Sequence, residues 1–179
     1  MVRAKQIRFV GEAEGQAGAA AMVRASGDVA LDRRGVPRAL VMACPDGCGE
    51  TLTINLDPRA GKAWRADGRE GRLTLYPSVW RDQGCRSHFI LWRDRIVWCD
   101  VYDPVPWADD ELVRKVRREL ELSAGRYVHF ETIAAILNCI PWEALWACQR
   151  LQREKKAEVR NQSEFRVPRP TNGRRGWTA

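Results

Sequence analysis

The chain has 179 residues, Lys+Arg 30 against Asp+Glu 23, a formal net charge of +7 and 45% hydrophobic residues, eight of them Trp. That length allows one medium or two small domains with modest cores, and the apolar share is ordinary for a globular protein. No apolar run approaches the roughly 18 residues of a membrane span, and the opening MVRAKQIRFVGEAEG lacks the apolar region of a secretory signal. A soluble, cytoplasmic protein is therefore expected, with reduced cysteines that serve as metal ligands or core thiols rather than disulfides.

In chain order, Gln6–Val10 alternates as a short strand, and residues 11–22, rich in Ala and Gly, read as a loop with a weak helix. Strands are expected at Asp28–Leu31 and Arg38–Ala43, broken by the turn Arg34-Gly35-Val36-Pro37. Thr51–Leu56 alternates again. Ala63–Ala66 and Arg72–Tyr76 form a pair across Asp67-Gly68, and Phe89–Trp92 and Arg95–Val101 a hairpin around Arg93-Asp94. The prolines of Asp103-Pro104-Val105-Pro106 resist both helix and central strand and break the chain. Beyond them, Asp109-Asp110-Glu111 opens a helix running to about Leu122, its acids at the positive end. A second helix spans Phe130–Leu137, and a third starts at Pro141 and runs to about Lys156. A small hairpin, Val159–Arg160 with Phe165–Val167, turns at Asn161-Gln162-Ser163. The expected fold is α+β. A β-rich zinc-binding domain of short antiparallel strands (1–104) precedes a three-helix, winged-helix-like domain (108–168) and a flexible basic tail (169–179).

The six cysteines are Cys44, Cys48, Cys85, Cys99, Cys139 and Cys148. Cys44-Pro45-Asp46-Gly47-Cys48-Gly49 is a tight turn after a strand, a shape that lets two thiolates converge on one ion about 2.3 Å away. Cys85-Arg86-Ser87-His88 has the spacing of a second ligand pair. Cys44, Cys48, Cys85 and His88 would close a tetrahedral structural zinc site with no position left for substrate. Cys99 competes for the fourth position, and the alternative for all of them is a set of reduced core thiols beside an ordinary histidine. Cys139 and Cys148 read as core or helix-surface thiols.

The segments DVALDRRGVPRALVMACPDGCGETLTINLDP and GRLTLYPSVWRDQGCRSHFILWRDRIVWC resemble a bacterial zinc-ribbon-like domain family of unknown function. That family carries C-P-x-G-C-G and a later L-x-P-S-V-W…C-x-S-H-F stretch, matched here by Leu75–Trp80 and Cys85–Phe89. The resemblance covers roughly residues 28–100. Many members have a further Cys where this chain has Asp46, which speaks against a second metal or a redox thiol there. Such proteins are often encoded beside E1-like, E2-like and JAB-type components. The resemblance thus implies a place in a bacterial ubiquitin-like modification pathway, with phage defence as a further implication.

The helical half resembles a winged helix-turn-helix, with Asn138 suited to the left-handed turn. Ile133, Ile136, Leu137, Trp142, Leu145, Cys148 and Leu151 are its expected core. Glu143, Gln149, Arg150, Gln152 and Arg153 are placed on the outward face of the third helix. Gln149, Arg150, Arg153, Lys155, Lys156 and Arg160 form the candidate partner-binding set, to bases and phosphates or to protein. Glu143 near the helix start opposes DNA, and the pattern also suits any three-helix packing unit.

For an enzyme the signals are thin. There is no Gly-rich phosphate loop, H-E-x-x-H helix or G-x-S-x-G elbow. Ser78 and Ser87 are the nucleophile candidates. Ser87 and His88, adjacent on a strand, point to opposite faces and make a poor couple. A reactive thiolate is conceivable at Cys99, Cys139 or Cys148, and His129 reads as structural. The expectation is a non-catalytic, zinc-binding adaptor of a bacterial ubiquitin-like system. Its partner would be an E1-, E2- or ubiquitin-like component ahead of DNA, with no membrane and no small-molecule substrate. The alternative is a DNA-binding regulator that uses the helical domain.

Overall fold

The computed structural model describes residues 3–100 and 108–168. The chain divides into two compact units, Met1–Val105 and Pro106–Ala179. The proline break and the expected basic tail at 169–179 lie outside the described residues.

In the first unit, β1 (Arg8–Ala13), β2 (Asp28–Arg34), β3 (Val36–Ala43) and β4 (Thr51–Asn55) form one sheet in chain order, with α1 (Gln16–Met22) between β1 and β2. β2 to β4 pair antiparallel, as expected, but β1 pairs parallel to β2. The reason is the connection. A hairpin turn reverses the chain, whereas a helical crossover returns it in the same direction, and the weak helix seen in residues 11–22 is that crossover. Alternation along β2 and β3 then serves two cores. Ala30 and Val41 face Ala19 and Val23 on the α1 side. Val29, Leu40 and Met42 face the opposite way, against Ile54, Leu75, Val79, Phe89, Leu91, Ile96 and Trp98.

That second layer is built from β5 (Arg65–Asp67) paired with β6 (Thr74–Tyr76), and from β7 (Val79–Trp80), β8 (His88–Trp92) and β9 (Arg95–Trp98). The last three make an antiparallel sheet ordered β7-β8-β9. β7 was not expected, because two residues are too short for period-2 alternation to register. Asp28, at 2% exposure, is held by Arg8 at 2.8 and 3.0 Å and by the backbone N–H groups of Arg24 and Ala25 at 3.0 and 2.9 Å.

In the second unit, α2 (Asp110–Leu122) is capped by Asp109, which accepts from the Leu112 N–H at 2.8 Å. β10 (Val128–His129), α3 (Phe130–Ile136), α4 (Pro141–Arg153), β11 (Glu158–Arg160) and β12 (Glu164–Arg166) follow, the strands ordered β10-β12-β11. His129 caps α3 by accepting from the Glu131 N–H at 3.3 Å, which gives it a structural role. Val113, Val116, Leu120, Phe130, Ile133, Trp142, Cys148, Leu151 and Phe165 are buried. Ile136, expected in this core, is 59% exposed, and Leu137 and Leu145 are only half-buried. α3 buries Phe130, Ile133 and Ala134, an i, i+3, i+4 stripe, and Ile136 lies off it. Among the described residues, no helix is long and apolar enough to cross a membrane.

The Asp28 carboxyl sits at about 2, pulled below 3.8 first by the Arg8 hydrogen bonds, against burial, with help from the two N–H groups. Its folded value is depressed, so its stabilisation is full above the unfolded value and is lost as pH falls through about 2. Urea melts of the D28N variant across pH 2 to 5 should therefore show lower stability near pH 5 and a flatter acid limb than wild type.

Candidate functional site

The Cys44–Cys48 turn follows β3 directly. Its first peptide groups are tied down by Cys44 N–H to Glu50 O at 2.8 Å and Gly47 N–H to Cys44 O at 3.0 Å. Ser26 Oγ donates to Cys44 O and Pro45 O at 3.1 and 2.9 Å, and Ala4 N–H to Pro45 O at 2.8 Å. Gly47 has φ +82°, a left-handed turn position where a side chain would be strained. The Cys85 loop joins β7 to β8 and turns at Gly84 and Arg86, both at positive φ.

These two loops bring the sulfurs of Cys44, Cys48 and Cys85 within 4.8 Å of one another, close enough to hold a metal ion. Cys44 Sγ and Cys85 Sγ are 3.6 Å apart. Two thiolates on a tetrahedral ion at about 2.3 Å stand roughly 3.8 Å apart, so the spacing fits such an ion. Cys44 is buried and the other two are half-buried. The Arg81 guanidinium lies over all three, its Nη1 at 3.8, 3.5 and 3.1 Å from the sulfurs of Cys44, Cys48 and Cys85, and it also pairs with Glu50.

His88, expected as the fourth ligand, does not join the three thiols. Its Nε2 is 3.0 Å from Ser78 Oγ. The strand explains this. Arg81 N–H bonds Ser87 O at 3.0 Å, so the β7–β8 ladder already runs at Ser87, and successive side chains there point to opposite faces. Ser87, 1% exposed, turns to the thiols, with Oγ 3.8 Å from Cys44 Sγ. His88 therefore turns to the other face, opposite its register partner Trp80, where Ser78 also lies. Sequence reading had Ser78 as a nucleophile candidate and spent His88 on the metal. The pairing depends on β7, which no local pattern in the sequence marks.

Cys99 N–H bonds His88 O at 2.9 Å and its thiol is exposed, beyond the three-sulfur group. Next to it, the Asp100 carboxyl is held below its ordinary range first by the Arg3 hydrogen bonds, with a smaller contribution from His88. In the second unit, Cys139 is half-buried and Cys148 buried.

The candidate partner-binding cations are largely engaged within their own unit. Arg150 meets Asp110 at 2.7 Å and Glu154 at 3.1 Å, Lys156 meets Glu154 at 2.7 Å, and Arg160 meets Glu164 at 3.0 Å. Gln149 is half-buried, while Arg153 and Lys155 are exposed on the end of α4 and the residues after it. The six residues thus do not form one uncompensated basic face.

With this geometry in view, residues 17–99 match the family model described as bacterial ubiquitination-like system serine protease (BubE). The matched stretch spans β2 to β9, with both the three-thiol group and Ser78–His88 inside it. It associates the first unit with a bacterial ubiquitination-like system. No curated protein and no solved structure matches the chain.

Cys44, Cys85 and Cys148 differ in acidity. Burial pushes Cys44 up to about 11. Burial also acts to raise Cys85, but hydrogen bonds from the Ser87 side chain and backbone, and from Cys44 and Cys48, outweigh it and bring Cys85 down to about 7. Burial drives Cys148 up to about 12. In chelator-treated, folded protein at pH 7, iodoacetamide should thus modify Cys85 well ahead of Cys44 and Cys148, as read by peptide mass mapping over time.

Proposed function

We propose that the first unit is a serine peptidase of a bacterial ubiquitination-like system, with Ser78 as nucleophile and His88 as general base. The observation that carries this reading is the 3.0 Å approach of His88 Nε2 to Ser78 Oγ on one sheet face, within the stretch that matches a serine protease family. A hydroxyl and an imidazole at this distance form the minimal activated-nucleophile pair. His88 Nε2 takes the Ser78 proton as Oγ attacks the carbonyl carbon of a substrate peptide bond. The protonated imidazole then gives that proton to the departing amine, and an acyl-Ser78 ester remains. Water, deprotonated by His88, attacks the ester and releases the new carboxylate, with the proton returned to Ser78. This reading replaces the non-catalytic adaptor, and the substrate is a protein component of the same system.

The three thiols are proposed to hold one structural zinc ion. The donor set is soft sulfur, the Cys44–Cys85 separation of 3.6 Å suits it, and the Arg81 guanidinium beside the sulfurs offsets the charge of three thiolates. When bound, zinc supplies a cross-link between the two loops and no step of the reaction. Its consequence for the dyad runs through the chain, since Cys85 stands three residues before His88 and Arg81 three residues after Ser78. Structural zinc contributes on the order of 10 kcal/mol of folding free energy in small domains, comparable with a typical total stability of about 5–15 kcal/mol.

The second unit is proposed as a winged-helix-like docking module. Its order of helix, strand, two helices and hairpin, with sheet order β10-β12-β11, supports that reading. The engagement of Arg150, Lys156 and Arg160 by acids of their own unit favours a protein partner over DNA.

Two measurements test these readings. Against a panel of ubiquitin-like proteins of bacterial ubiquitination-like systems, S78A and H88N should each lower cleavage by about a thousandfold or more with unchanged folding, and a fluorophosphonate probe should label Ser78 alone. Full activity in S78A sinks the peptidase. Elemental analysis of untagged protein should return one zinc per chain, lost in C44S and C85S and retained in C99S and C139S. Wild type purified without chelator that is folded and active yet returns no zinc sinks the structural zinc.

A further inference from the structure

We infer that Trp80 selects the substrate: an extended segment of the substrate protein adds as a strand to the free edge of β7 and lays an apolar side chain, two residues before the residue whose carbonyl is attacked, on the Trp80 indole. This rests on the peptidase reading of Ser78 and His88 and deepens it.

The edge is defined by the ladder. β7 ends its sheet, and its one strand partner among the described residues is β8. Arg81 N–H points inward to Ser87 O at 3.0 Å, so by alternation along β7 the backbone groups of Val79 face β8 and those of Trp80 face outward. Trp64 Nε1 donates to Ser78 O at 3.3 Å, so an indole closes this outer edge at the nucleophile. Pairing available to an incoming peptide therefore runs along Trp80 and stops at Ser78. A chain ending its ladder there places a carbonyl at the Ser78 hydroxyl.

The side chains define what is selected. Trp80 shares the sheet face of His88, its register partner, with ring centroids 6.0 Å apart, and so shares the face of Ser78 as well. At 69% exposure it is the most exposed large apolar side chain among the described residues. In antiparallel addition, the substrate residue opposite Ser78 offers the attacked carbonyl, and the residue opposite Trp80 lies two positions earlier. Directly paired residues on one face bring their Cβ atoms to about 4.5–5.5 Å. A leucine or aromatic residue at that position covers the indole, whereas a charged one leaves it wet. The occupant is thus an extended, unpaired tail or linker and not a folded surface, because only a chain with free backbone groups can join the edge.

The test uses the full chain on a proteome-derived peptide library, with cleavage sites read by mass spectrometry. Wild type should enrich Leu, Phe, Tyr or Ile two residues before the residue whose carbonyl is attacked. W80A should lose that enrichment and drop by about tenfold in kcat/KM on a preferred peptide, mostly through KM, while W80F keeps the enrichment. Circular dichroism and unchanged fluorophosphonate labelling of Ser78 establish that W80A is folded with an intact dyad. Cleavage by W80A with wild-type preference, or enrichment on the departing side of the bond, overturns the assignment while leaving the peptidase standing. A wild-type chain that cleaves nothing, or S78A that cleaves equally, overturns both.

Discussion

A strand turns successive side chains to opposite faces, and at the start of β8 this rule divides two adjacent residues between two centres. Ser87 goes to the thiols and His88 to Ser78. A one-residue slip of β8 against β7 would exchange them, pushing the imidazole into a buried sulfur cluster and leaving the Ser78 hydroxyl without its neighbour. The register is held from both sides. Val79 and Phe89, paired across β7 and β8, are buried in the main core, and Phe89 packs against Trp98 of β9 with the rings tilted and centroids 5.7 Å apart.

The same constraint ties the proposed metal site to the proposed chemistry without putting the metal in the reaction. The Cys44 turn is fastened to the N-terminal segment through Ala4 and to the loop before β2 through Ser26. The Cys85 loop is the connection between the strand that follows Ser78 and the strand that begins at His88. A metal ion cross-linking these loops would hold the segments that carry Ser78 and His88 together. The second unit has its own core around Val116, Leu120, Ile133, Leu151 and Phe165, and Arg150, Lys156, Arg160 and Arg166 on its surface pair with its own acids. Its proposed role is accordingly recognition by shape and apolar contact, with Leu122 and Ile136 exposed.

Much was legible from residue types and local spacing. β2, β3, β8 and β9 were legible as short apolar runs bounded by turn residues, and β4 by its period-2 alternation. The Pro141 start of α4 and the acids opening α2 were also readable, being set by backbone chemistry within a turn. The thiol turn at Cys44–Cys48 and its convergence with Cys85 came from sulfur spacing alone, and the ubiquitin-like association from the motifs around them.

What the tertiary structure alone decided was the direction of individual side chains. The parallel pairing of β1, the two-residue β7 and the partner of His88 all depend on which segments lie side by side, and no local pattern encodes that. A spacing of three residues from Cys85 to His88 is compatible with a shared ion if the chain turns, and incompatible if a strand begins there. The ladder bond from Arg81 to Ser87 settles that a strand does, because backbone pairing between distant residues overrides the local turn.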